Sequence, residues 1–98
     1  VVYSAGVWLV KVGKEEEFVR TWEAATALVP RDRPGIVLRL LRDADEPRRF
    51  LSLVGPWKSP QELERARTTP AFQAALERTE PLLESAEART YEVVVEIS

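Results

Sequence analysis

Three short runs in this chain are apolar on both alternations of an extended strand: Val7-Trp8-Leu9-Val10, Ile36-Val37-Leu38 with Leu40-Leu41, and Phe50-Leu51 with Leu53-Val54. A strand with two apolar faces needs both of them covered. A chain of 98 residues holds material for one domain. Residues 1–98 are therefore read as a single domain whose sheet packs against more than its own helices.

Turn and cap residues punctuate these runs. The first strand is expected from about Tyr3 to Val12, closed by Gly13. Glu15-Glu16-Glu17 suit the positive end of a helix dipole, and a helix follows to about Leu28. Phe18, Trp22, Ala25 and Val29 form its apolar stripe, and Pro30 ends it. Ile36–Arg42 and Phe50–Trp57 read as strands joined by the turn residues Asp43-Ala44-Asp45-Glu46-Pro47, an antiparallel hairpin. Ser59-Pro60-Gln61-Glu62 is a helix start, with Ser59 capping the Glu62 N–H and Glu62 bonding back. Thr69-Pro70 is a second cap, and Pro81 breaks the face carried by Phe72, Ala75, Leu76, Thr79 and Leu83. The last strand is expected over Arg89–Ile97.

The order is β-α-β-β-α-β, an α+β, ferredoxin-like arrangement with one four-stranded antiparallel sheet and both helices on one face. The other face is then bare and apolar. A contiguous apolar patch on so small a unit marks association, so a homodimer packed sheet face to sheet face is expected.

The residue alphabet excludes much chemistry. Cys, His and Met are all 0, and Asn is absent too. A Ser-His-Asp triad, a thiol nucleophile and an imidazole or thiolate metal site cannot be built. Asp32, Asp43 and Asp45 read as turn residues, so no metal is expected. With 14 basic against 16 acidic residues there is no basic excess for nucleic acid. No run approaches the ~20 apolar residues of a membrane span. Val1-Val2-Tyr3 lacks the pattern of a signal peptide, so a cytoplasmic location is expected, and the missing initiator Met suggests trimming or disorder upstream.

Four stretches carry a family resemblance: Val12-Gly13-Lys14-Glu15-Glu16-Glu17-Phe18, Pro34-Gly35-Ile36, Arg42-Asp43-Ala44-Asp45-Glu46-Pro47-Arg48-Arg49-Phe50, and Trp57-Lys58-Ser59-Pro60-Gln61-Glu62-Leu63 with Thr69-Pro70-Ala71-Phe72 beyond. Tyr91-Glu92-Val93-Val94 closes the series. With them the chain resembles the antibiotic biosynthesis monooxygenase family, which implies a dimeric α+β barrel. The family spans cofactor-free oxygenases of aromatic polyketides, quinol oxidases and haem-degrading enzymes. The haem-degrading branch uses an Asn, a Trp and a His where Gly6, Ala66 and Leu76 stand here, so the resemblance does not extend to haem breakdown.

What remains implied is a cofactor-independent monooxygenase acting on a small aromatic or quinol substrate. The alternative is a non-catalytic dimeric module that binds a small ligand or a partner. An ionised phenol can itself reduce O2, so the protein has to hold it, stabilise its charge and exclude water. Arg39 and Tyr91 are the candidate catalytic stabilisers; Trp22, Phe72, Trp8 and Trp57 are the candidate substrate walls. Each has a structural reading as well. Trp22 and Trp57 could be core, Trp8 could be interface, and Tyr91 could make a structural hydrogen bond. Arg39 could pair with Glu92 or Glu96 across the sheet or from a second copy.

Overall fold

A computed structural model describes residues 1–27 and 29–98. The chain runs β1 (Val2–Val10), α1 (Glu15–Thr26), α2 (Val29–Asp32), β2 (Val37–Arg42), β3 (Arg49–Trp57), α3 (Pro60–Arg67), α4 (Pro70–Thr79), a 3-10 turn (Glu80–Leu82) and β4 (Leu83–Glu92). The four strands form one antiparallel sheet in the order β2-β3-β1-β4. This is the expected α+β, ferredoxin-like architecture.

Local chemistry sets the joints. Gly13 takes φ +81° to turn the chain out of β1, and the Glu15 carboxylate accepts its N–H at 3.2 Å. Asp43 Oδ1 accepts the N–H groups of Asp45 (2.8 Å) and Glu46 (3.2 Å), which fixes the β2–β3 turn. Those two bonds hold the Asp43 carboxyl below its ordinary value, against desolvation and with a lesser contribution from the Arg49 charge. Ser59 Oγ accepts the Glu62 N–H at 3.2 Å, but Glu62 bonds back to the Lys58 N–H (2.8 Å) rather than to the cap residue. Thr69 caps α4 through the Phe72 N–H at 3.3 Å.

Several ends differ from the sequence reading. β1 stops at Val10, because the Val10 N–H turns to Arg48 O and the Lys11 N–H to Leu82 O, both at 2.8 Å. Pro30 does not end the helical run; it sits in the first turn of α2, where its missing N–H costs nothing. The expected end near Leu28 lies outside the described residues. β4 occupies Leu83–Glu92, not Arg89–Ile97. It starts directly after the 3-10 turn at Pro81 and pairs with β1 from Val10 back to Val2. Past Glu92, the Val93 N–H donates to Val1 O at 3.2 Å.

The helices bury one face of the sheet in two apolar clusters. Phe18 of α1 packs with Val10, Phe50 and Leu82, and with half-buried Trp8, Trp22 and Leu40. Leu63 of α3 packs with Val2, Ile36 and Trp57, and with Leu38, Val54 and Ala66. The opposite face carries Arg39, Leu41, Leu51, Leu53, Val7 and Tyr91 and has no helix over it. Val7, Leu41 and Tyr91 there are exposed. No helix among the described residues is long and apolar enough to cross a membrane.

Candidate functional site

The α1 stripe that buries Phe18 also leaves an open cleft against the edge of the sheet. Val19, Trp22 and Glu23 of α1 face Leu40 and Arg42 of β2 and Phe50 of β3 across about 370 Å³. Strand alternation puts Leu40, Arg42 and Phe50 on the helix side, since Leu40 pairs with Ser52 and Arg42 with Phe50. The Arg42 guanidinium carbon lies 5.0 Å from the centroid of the Phe50 ring, a cation over an aromatic face. The cleft thus has indole, phenyl and aliphatic walls, with one cation and one carboxylate at its rim.

One strand further in, the floor turns polar. Gly6 is buried opposite Ser52, and the Trp8 indole folds back over it to donate from Nε1 to Ser52 Oγ at 2.9 Å. A Cβ on Gly6 would sit 2.8 Å from Ser52 Oγ and 2.9 Å from Trp8 Nε1. The space above residue 6 is therefore filled by Trp8. From the other side, Arg67 at the end of α3 donates from Nη2 to Ser4 Oγ at 3.0 Å. These polar groups lie between the two apolar clusters.

The sequence-expected residues are spread over both faces of the sheet. Trp22 lines the cleft and Trp8 covers the polar floor, its ring 5.6 Å from that of Phe18. Phe72 is half-buried in the first turn of α4. Trp57 is 2% exposed, donates to Val54 O at 3.0 Å and lies under the Arg33 guanidinium at 5.8 Å, so it is packed into the α3 cluster. Arg39 and Tyr91 are on the opposite face of the sheet, on its two outer strands. The sheet separates them from Trp22 and Trp8 within one chain.

An Arg39 ion pair with Glu92 of the same chain is also ruled out. β2 and β4 are three strand spacings apart, about 14 Å. Arg89 instead pairs with Glu87, its Nε 2.7 Å from Oε1, which raises the guanidinium pKa further. The sequence reading missed Arg42, Arg67, Ser4 and Ser52. Among the described residues no group of three or more acidic side chains could hold a metal ion.

With this geometry in view, the comparisons define the class. The family model for antibiotic biosynthesis monooxygenases matches residues 2–78, and the chain belongs to that family. Its fold is similar to that of SnoaB, a cofactor-independent oxygenase from Streptomyces nogalater, with a TM-score of 0.82 at 22% identity over 98% of this chain and 95% of that one. It is similar too to PA3566 from Pseudomonas aeruginosa, with a TM-score of 0.78 at 20% identity over 96% and 94% of the two chains. SO0527 from Shewanella oneidensis gives 0.78 at 23% identity over 92% and 87%. No curated protein matches the chain by sequence.

Proposed function

We propose that this protein is a cofactor-independent monooxygenase of a small, electron-rich aromatic or quinol. Family membership supports the class of reaction. The observation on this chain that carries the reading is the helix-side cleft of Trp22, Leu40 and Phe50 with Arg42 at its rim. Its volume falls in the lower part of the range of about 300–1,000 Å³ seen for small-ligand pockets. Aromatic walls hold a planar ring and displace water from it. The Arg42 guanidinium at the rim favours the ionised form of a phenol, the form that gives an electron to O2. The substrate is then the reductant, and the protein binds, orients and shields it.

The reading includes a homodimer joined through the open sheet face, with Arg39 and Tyr91 at the interface between copies rather than in the Trp22 cleft. It also places the protein in the cytoplasm. The test is oxygen uptake with hydroquinones and anthrones, without added metal, flavin or nicotinamide and after chelator treatment. Turnover that falls in Trp22→Ala and Arg42→Ala, with both variants folded by thermal melt, is expected. Loss of turnover on chelation overturns the cofactor-free reading. Saturable binding with no oxygen uptake replaces it by the ligand-binding module.

A further inference from the structure

The helix-side cleft holds two opposite charges that the chain does not join. Glu23 follows Val19 by one helical turn on α1, so it stands on the side of the helix that lines the cleft, next to Trp22. Arg42 faces it from the last position of β2. Neither side chain has an ionic or hydrogen-bonding partner among the described residues. The neighbours that could supply one are turned elsewhere. Arg20, one turn before Glu23, leans to Glu16 at 3.9 Å. Asp43, beside Arg42, gives Oδ1 to the N–H groups of Asp45 and Glu46. The Arg42 guanidinium is held over the Phe50 ring at 5.0 Å, which keeps the cation on the sheet side of the cleft.

The cleft is therefore polar from end to end. Trp22, Leu40 and Phe50 between the two charges carry none themselves. A guanidinium offers only donors and an ionised carboxylate only acceptors. A flat ring spanning the cleft meets a donor at the Arg42 end and an acceptor at the Glu23 end. An oxygen anion or carbonyl suits the first, and a hydroxyl proton suits the second. The Glu23 charge also repels a ligand that carries a negative group at that end.

We infer that Glu23 is a specificity residue of the Trp22 cleft, selecting aromatic rings that present an oxygen acceptor to Arg42 and a free hydroxyl to Glu23, over rings capped or anionic at the Glu23 end. The inference rests on the cleft being the substrate site. Within aromatic and quinol substrates it names the class hydroxylated at both ends or carrying a hydroxyl opposite an anion. Glu23 accepts a hydrogen bond in the complex; no proton or electron transfer is assigned to it.

The probes are 6-hydroxy-2-naphthoate, 6-methoxy-2-naphthoate and naphthalene-2,6-dicarboxylate, followed by calorimetry. All share one ring and one carboxylate for Arg42, and they differ only at the far end. The parent should bind the hydroxyl compound about 10-fold more tightly than the methoxy one, the low end for a hydrogen bond to a charged group, and the dicarboxylate most weakly. Glu23→Ala should bring the hydroxyl and methoxy compounds level and strengthen the dicarboxylate. Glu23→Gln, which keeps an acceptor without the charge, should retain part of the hydroxyl preference and also strengthen the dicarboxylate. Arg42→Ala should weaken all of them together. Glu23 is exposed on a helix, so these variants leave the fold intact, as a thermal melt will check. Opposite shifts for the hydroxyl compound and the dicarboxylate on one substitution cannot come from a damaged fold.

An unchanged ratio of hydroxyl to methoxy binding in Glu23→Ala overturns the assignment, as does equal binding of the probes by the parent or no binding at millimolar concentration. If equal binding is lost in Trp22→Ala, the cleft stands and only the role of Glu23 falls. A preference that depends on Glu23, without oxygen uptake from any hydroquinone, supports the role of Glu23 and removes the oxygenase reading.

Discussion

Substituting Gly6 by Ala tests the packing of the polar floor most directly. The backbone tolerates the change, because Gly6 is a strand residue without positive φ. The added Cβ would meet Ser52 Oγ at 2.8 Å, Trp8 Nε1 at 2.9 Å and Trp8 Cε2 at 3.2 Å. Both atoms of the Trp8–Ser52 hydrogen bond must then move. Overpacking of this kind costs about 1–3 kcal/mol, and losing the bond adds about 1 kcal/mol. The lower chain entropy of Ala returns about 0.5–1 kcal/mol. The net expectation is a loss of about 2 kcal/mol, or a Tm lower by about 8–16 °C for a domain of this size.

Urea unfolding at fixed protein concentration measures it, since association would otherwise enter the result. The decisive arm is the double-mutant cycle with Ser52→Ala. Removing Oγ clears the closest contact, so Gly6→Ala should cost at least about 1 kcal/mol less in that background. A Gly6→Ala protein as stable as the parent, or strict additivity with Ser52→Ala, refutes the argument that Trp8 and Ser52 occupy the space above residue 6.

Two further outcomes follow from the same geometry. Light scattering coupled to gel filtration should report a dimer at micromolar concentration, and Leu51→Arg, placing a charge in the middle of the open sheet face, should yield the monomer mass with lower stability; an unchanged mass would move the interface elsewhere. Asp43, ordinarily near 3.8, is depressed in the fold, so its contribution is complete above that value and is lost as pH falls through the lower folded pKa. Asp43→Asn should therefore flatten the acid limb of the stability curve below about pH 4 while leaving the pH dependence above it unchanged.

The elements that were legible in the sequence are those set by neighbours along the chain. Ser59 and Thr69 cap helices through N–H groups three residues on, and Asp43 closes its turn through residues two and three further along. The limits of β2 and β3 fell within one residue of the expected ones, but those of β1 and β4 were not legible, because they are set by partners far away. Val12 continues the apolar pattern of β1, but the chain has already left the sheet where Val10 bonds Arg48, and Val12 is 77% exposed. Val93, Val95 and Ile97 alternate as well as any strand, yet β4 occupies Leu83–Glu92. Hydrophobic period identifies what could be a strand; hydrogen-bond partners far along the chain decide what is one.

The site turns on the same difference between local contrast and phase. Arg39 stands out because it interrupts an apolar run. Period two, however, puts it opposite Leu38 and Leu40, whose side chains join the helix-side clusters, so it takes the other face. Arg67 attracts no notice in Glu64-Arg65-Ala66-Arg67, a segment that reads as a solvated helix surface. Counted from buried Leu63, however, Ala66 and Arg67 fall at i+3 and i+4, on the face that packs against the sheet. Ser52 stands two residues from buried Phe50 on one side and half-buried Val54 on the other, so it too occupies an inward phase. A polar residue in an apolar run is weak evidence for a site until its phase is known. A polar residue in the buried phase has been desolvated by folding and needs a partner, which Trp8 supplies to Ser52 and Arg67 to Ser4. By that criterion Arg39 and Tyr91, on the open face, stand apart from the helix-side cleft that Trp22, Leu40 and Arg42 line.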